Sequence, residues 1–156
     1  PQSLDDLVQK LQARIKEKKL GNLLHLVHNE KGLHIEFAAN LVFTTTSAEP
    51  NILYRKEIDK LTEIIAPFTQ KYKVSIEGYT DDLPIRSGQA FASNWELSAA
   101  RGFSILHRLE EFGAKDEKIS VSAFAHTHPK VPYKGLTGAE LQAARDSNRR
   151  VVIWLE

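Results

Sequence analysis

Apolar residues return every three or four positions at the start of the chain. Leu4, Leu7, Val8, Leu11 and Ile15 mark one side, with Lys10, Arg14, Lys16, Lys18 and Lys19 on or near the other. This period predicts an amphipathic helix that Gly21 stops. The period then falls to two: Leu24 and Leu26, then Leu33, Ile35 and Phe37, alternate with polar residues around Asn29-Glu30-Lys31-Gly32, the pattern of a hairpin. Leu53, Ile58, Leu61, Ile64, Ile65 and Phe68 restore a helical stripe over residues 52–68. Val74 and Ile76 predict a strand running into Gly78-Tyr79-Thr80-Asp81, residues 97–112 a third helix, and Ile119, Val121 and Ala123 another strand. Thr137-Gly138-Ala139-Glu140 has the spacing of a capping box and opens a short helix to about residue 146, before a final strand over residues 149–155. The expected class is α/β, an α+β sandwich. Its β-α-β-α-β core carries a mixed sheet with helices on one face and a terminal antiparallel strand, plus an N-terminal helix and hairpin.

Composition narrows the chemistry. A chain of 156 residues, 42% of them hydrophobic, builds one core of ordinary size. Twenty-one basic residues against twenty acidic ones leave a charge of +1. That is too little for a chain held on nucleic acid by phosphate neutralisation, so no nucleic-acid partner is expected. The absence of cysteine excludes disulfides, zinc thiolates and thiol catalysis. No apolar run reaches the roughly 18 to 20 residues of a membrane span, and the first residues lack the basic and apolar regions of a signal peptide. A chain without methionine reads as processed or excised from something longer.

Candidate chemistry gathers at three places. Ser93-Asn94-Trp95-Glu96 is a capping box, in which the Ser93 hydroxyl accepts from the Glu96 amide and the Glu96 carboxylate from the Ser93 amide. Arg101 lies four residues after Leu97 and shares its side of the helix, so it calls for an anionic partner. Asp81, at the end of a strand expected to pack against that helix, is the natural candidate. The two either form a structural ion pair or divide a ligand between them, the guanidinium fork taking a carboxylate and the aspartate an ammonium or amide. In Asn148-Arg149-Arg150-Val151, strand alternation sends the two arginines to opposite faces. His126 and His128 are two residues apart with no third ligand at metal spacing, so no metal is expected. The remaining histidines, His25, His28, His34 and His107, read as exposed positions. Asp81 and Asp82 are adjacent, point apart and cannot flank a glycosidic bond, so no catalytic residue is assigned.

Taken in order, Gly78-Tyr79-Thr80-Asp81, Ser93-Asn94-Trp95-Glu96-Leu97-Ser98-Ala99-Ala100-Arg101 and Asn148-Arg149-Arg150-Val151 resemble the peptidoglycan-binding OmpA-like family over residues 33–155. The Ser-Asn-Trp-Glu-Leu-Ser form is similar to the MotB-like stator subunits of the flagellar motor. The resemblance implies that Asp81 and Arg101 hold the free amino acid end of diaminopimelate in the peptidoglycan stem peptide, with Thr80, Asn94 and Leu97. Asn148 and Arg149 would line the same groove, Arg149 being favoured over Arg150. It implies a non-catalytic wall anchor without cofactor, periplasmic in an inner-membrane protein. Such an anchor is dimeric and paired with a MotA-like membrane subunit through a membrane helix preceding Pro1. Residues 1–32 would then be a membrane-proximal regulatory linker and residues 33–156 the peptidoglycan-binding domain. A wall anchor of another envelope complex, a lipoprotein or a porin is the alternative. The chain departs from the family at Tyr79, where histidine is usual, at Gly102, where alanine is common, and in Ala125-His126-Thr127-His128-Pro129.

Overall fold

The computed structural model describes residues 3–86 and 88–156. Helix α1 (Leu4–Lys18) opens on a capping box: the Ser3 hydroxyl accepts from the Asp6 amide at 3.3 Å, and the Asp6 carboxylate from the Ser3 amide at 2.9 Å. It ends at Lys19, in the left-handed region with φ 55°, two residues before the glycine expected to stop it. Leu7 and Leu11 are fully buried and join the main core. Arg14 forks onto Glu57 at 2.7 and 2.9 Å, tying α1 to the second long helix.

Strands β1 (Leu24–Asn29) and β2 (Gly32–Ala38) form the expected antiparallel hairpin. Gly32 sits at φ +133°, and a Cβ there would lie 2.1 Å from the Leu155 carbonyl oxygen. The single turn α2 (Ala39–Val42) leads to Phe43, which bridges Pro50 and closes a short loop over residues 44–49. Then come α3 (Arg55–Ile65), a 3-10 turn (Ala66–Gln70), β3 (Val74–Tyr79), α4 (Asn94–Glu111), β4 (Ile119–Ala125), α5 (Gly138–Asn148) and β5 (Arg150–Leu155).

The sheet runs β1-β2-β5-β3-β4. β5 lies antiparallel between β2 and β3, and β3 and β4 are parallel, joined through α4. Ile35, Ile153 and Ile76 form one cross-strand row, and Leu33, Leu155 and Val74 another; all face the helices and are fully buried. β1 belongs to this sheet and α1 packs Leu7 and Leu11 into the same core, so the boundary expected at residue 32 falls inside a hydrogen-bonded hairpin.

Four expectations are corrected. Ile52 and Leu53 are 82% and 81% exposed, because α3 begins only at Arg55 and the two residues lie in the preceding turn, off the buried stripe. His34 is half-buried against Trp154, ring centroids 4.4 Å apart, since β5 pairs with β2 and sets Trp154 directly across from it on the same face of the sheet. At the α4 N-terminus the Ser93 hydroxyl accepts from Trp95, one residue earlier than the box requires, and donates to the Glu96 carboxylate. Thr137 precedes α5 as expected but makes no side-chain cap.

Candidate binding cleft

The site is built where β3 ends. A bulge between β3 and β4 puts Ala125 at φ 53°, and its carbonyl accepts the Thr80 amide at 2.8 Å. Helix α4 approaches this strand end closely over Gly78, and the Ser98 hydroxyl accepts the Ala125 amide at 3.2 Å. The end of β3 is thereby fixed against the first turns of α4, and a cleft of about 530 Å³ opens between them, within the usual size of a small-ligand site.

Asp81 is 6% exposed in this cleft. One carboxylate oxygen accepts the Leu83 amide at 3.0 Å and the other faces the Arg149 guanidinium at 3.1 Å. Burial raises its pKa above the ordinary aspartate value; the Leu83 amide and Arg149 oppose that rise. Asn94 donates from its amide to the Leu83 carbonyl at 3.0 Å, pinning the loop root to the helix. Asp82 turns away to a bidentate pair with Arg145, which lowers its pKa.

Arg101 is 3% exposed but does not pair with Asp81. Its Nε donates to the Ser47 carbonyl at 2.8 Å and one terminal nitrogen to the Thr44 carbonyl at 3.4 Å, with the guanidinium 5.2 Å from the centre of the Phe43 ring. Burial first, and the neighbouring Arg149 second, lower its pKa to about 10, with Asp81 opposing; it is charged at neutral pH. The expected anionic partner is thus replaced by backbone oxygens of the 44–49 loop. Asp81 takes its charge partner from the far end of the chain because β5 runs beside β3 and pairs Arg150 with Tyr79.

Thr80, Asp81, Asn94, Leu97, Arg101 and Arg149 all line the cleft. Asn148 does not. It is fully buried, its amide bonded both ways to the backbone of Val131 at 2.8 and 2.9 Å, holding down the loop after β4. Arg150 points to the other face of the sheet, 3.8 Å from the centre of the Tyr79 ring and bonded to the carbonyls of Asn148 and His128. The Tyr79 hydroxyl donates to Glu77 at 3.0 Å, so this departure from the family pattern lies outside the cleft lining. Among the described residues no cluster of three His, Cys, Asp or Glu is placed to hold a metal ion.

Sequence reasoning missed one wall. Phe43, Thr45 and Thr46 come from the loop after α2, and Ile85, Arg86 and Gln89 from the segment after Asp81. The length of that second segment and its Pro84 were the only available signal.

A match to a known family takes in the cleft-lining residues from Phe43 to Arg101, while Asn40 and Arg149 lie outside it. Residues 43–142 match the OmpA family. Motility protein B of Helicobacter pylori is 27% identical over 143 residues, covering 91% of this chain and 52% of the relative; the chain thus spans about half the length of that protein. The crystal structure of the periplasmic domain of Helicobacter pylori MotB superposes with a TM-score of 0.70 at 25% identity, covering 85% of this chain and 81% of that one. The cell wall anchor of the T6SS from Pseudomonas aeruginosa shares the fold, with a TM-score of 0.75 at 20% identity over 92% of this chain and 96% of its own.

Proposed function

The chain belongs to the OmpA family, and from that membership we propose that it is the peptidoglycan-binding part of a MotB-like stator subunit. In this reading it holds an ion-driven motor to the cell wall from the periplasmic side of the inner membrane. The ligand is the diaminopimelate end of the stem peptide. The observation that carries the reading is that Asp81 and Arg101 line one cleft on separate supports, neither consumed by the other. An amino acid centre brings an ammonium to the first and a carboxylate to the second.

The proposed role is non-catalytic. Asp81 and Asp82 are engaged by different partners, Arg149 and Arg145, and do not face one another across a space where a bond could be cleaved. Two charge-assisted contacts of about 1.5 to 3 kcal/mol each sum to about 3 to 6 kcal/mol, and once offset by the cost of association they leave an affinity of about millimolar or weaker at one site. Firm anchoring then requires a homodimer on a polymer of repeated stem peptides. The MotA-like partner would be met through a membrane helix preceding this chain, with residues 1–32 governing how far the anchor reaches. Similarity to motility proteins favours the motor over another envelope complex.

Co-sedimentation with insoluble peptidoglycan tests this, comparing wild type with Asp81→Ala and Arg101→Ala. Arg101→Lys serves if the alanine variant fails to fold. Folded variants should stay in the supernatant while wild type pellets. Retention of wild-type sedimentation by both variants would refute the assignment.

A further inference from the structure

The cleft has more positive charge than an amino acid centre can use. Arg86, Arg101 and Arg149 line it, against Asp81 as the one acidic lining residue among those described. Arg149 is spent on Asp81 and Asp146, and Arg101 is half engaged by the Ser47 and Thr44 carbonyls. Arg86 is exposed and makes no ion pair or side-chain hydrogen bond among the described residues. An ammonium on Asp81 and a carboxylate on Arg101 together add no net charge. Arg86 would then remain uncompensated beside them.

We propose that Arg86 is a specificity-determining residue that binds a second carboxylate of the same ligand, so that the cleft selects a dicarboxylate over a single zwitterionic centre. The inference rests on the stem-peptide reading given above. Arg86 is well placed for this. Leu83 is pinned twice, its amide to Asp81 and its carbonyl to Asn94. Arg86 follows three residues later, so its Cα lies within roughly 10 Å of that anchor. Pro84 and Ile85 lie between and give the wall an apolar stretch, matching an aliphatic spacer between two charged ends. Gln89 lines the same cleft and adds no charge there. A guanidinium grips a carboxylate through two parallel N–H donors, which an amide cannot accept equally.

A stem that ends in diaminopimelate carries two carboxylates that could fill this role: the main-chain carboxylate of diaminopimelate and the α-carboxylate of the γ-linked glutamate. Calorimetric titration of the protein with the tripeptide alanyl-γ-glutamyl-diaminopimelate separates them. Three forms are compared: both groups free, the glutamate α-carboxylate amidated, or the diaminopimelate main-chain carboxylate amidated. One amide should bind wild type about tenfold more weakly than the free acid, and its identity names the carboxylate. Arg86→Gln should bind all three alike, at the level of the penalised amide. Equal wild-type affinity for the three peptides, or a preference that survives in Arg86→Gln, would overturn the proposal while leaving the stem-peptide reading intact. No binding of any peptide by folded wild type would overturn both.

Discussion

Replacing Gly78 with alanine tests how tightly the cleft depends on the contact between β3 and α4. An added Cβ would lie 2.1 Å from the Ser98 carbonyl oxygen and 2.8 Å from its carbon. Both are backbone atoms of a helix, so no side chain can swing aside. Restoring ordinary contact at 3.4 Å requires the helix and strand to part by about 1.3 Å. That separation strains the Ser98 to Ala125 hydrogen bond and loosens Ile105 and Leu109, which are 1% and 0% exposed, from the sheet. Overpacking of this kind costs about 3 kcal/mol, which for a chain of this size lowers Tm by about 6 to 12 °C. The same movement carries Asn94, Leu97 and Arg101 away from Asp81, so wall binding should fall by about tenfold, the worth of one charge-assisted contact. Thermal unfolding followed by circular dichroism and peptidoglycan sedimentation measure the two effects on one sample. Gly21→Ala is the control: nothing lies within 4 Å of its added Cβ, and Tm should barely move. A Gly78→Ala protein that melts within about 2 °C of wild type and still pellets normally would refute the argument.

Asn148→Ala leaves the half-buried amide and carbonyl of Val131 without partners and should destabilise the protein by about 1 to 2 kcal/mol in urea unfolding; a loss below about 0.5 kcal/mol would show that the loop repacks. Asp81 must be ionised to receive an ammonium, and burial raises its pKa, so wall binding should disappear on acidification with a midpoint above the ordinary aspartate value of 3.8. Sedimentation across pH checks this, and a midpoint at or below that value contradicts it. Burial lowers the pKa of His34 below its ordinary 6.5, so the unfolded chain binds the extra proton as the medium acidifies. Stability attributable to His34 is therefore complete above pH 6.5 and is lost as pH falls toward the lowered value. His34→Phe should flatten that part of the stability profile, and an unchanged slope would count against it.

Where period and local chemistry decide structure, the chain was readable in advance. Alternation located β2 and β3, an unbroken apolar run located β5, the stripe from Ile58 to Phe68 located the second long helix, and Ser93 marked the start of α4. The failures share a cause, which is contact between segments distant in sequence. Ile52 and Leu53 continue the helical spacing, and nothing local says that the chain has yet to turn. The sequence alone assigns Asp81 to Arg101 because no pattern announces that the Ser47 and Thr44 carbonyls fold over its guanidinium. Asp81 met Arg149 because β5 inserts between β2 and β3, a register set by the completed sheet. Asn148 stands beside Arg149 in the motif, yet its amide faces Val131 and serves the loop.

The central position of β5 has a consequence for how the molecule assembles. Every other strand precedes it in sequence, and without it the β1–β2 hairpin and the β3–β4 pair share no hydrogen-bonded edge. Folding must therefore wait for a closure of long sequence separation, which is slow, and until then the open edges of β2 and β3 are exposed to pairing with other chains. Arg149 immediately precedes that strand and arrives beside Asp81 in the same event. The nascent chain consequently has no charge-complete cleft before its sheet is sealed, so in the proposed role incompletely folded molecules would be kept off the wall by the order of their own assembly.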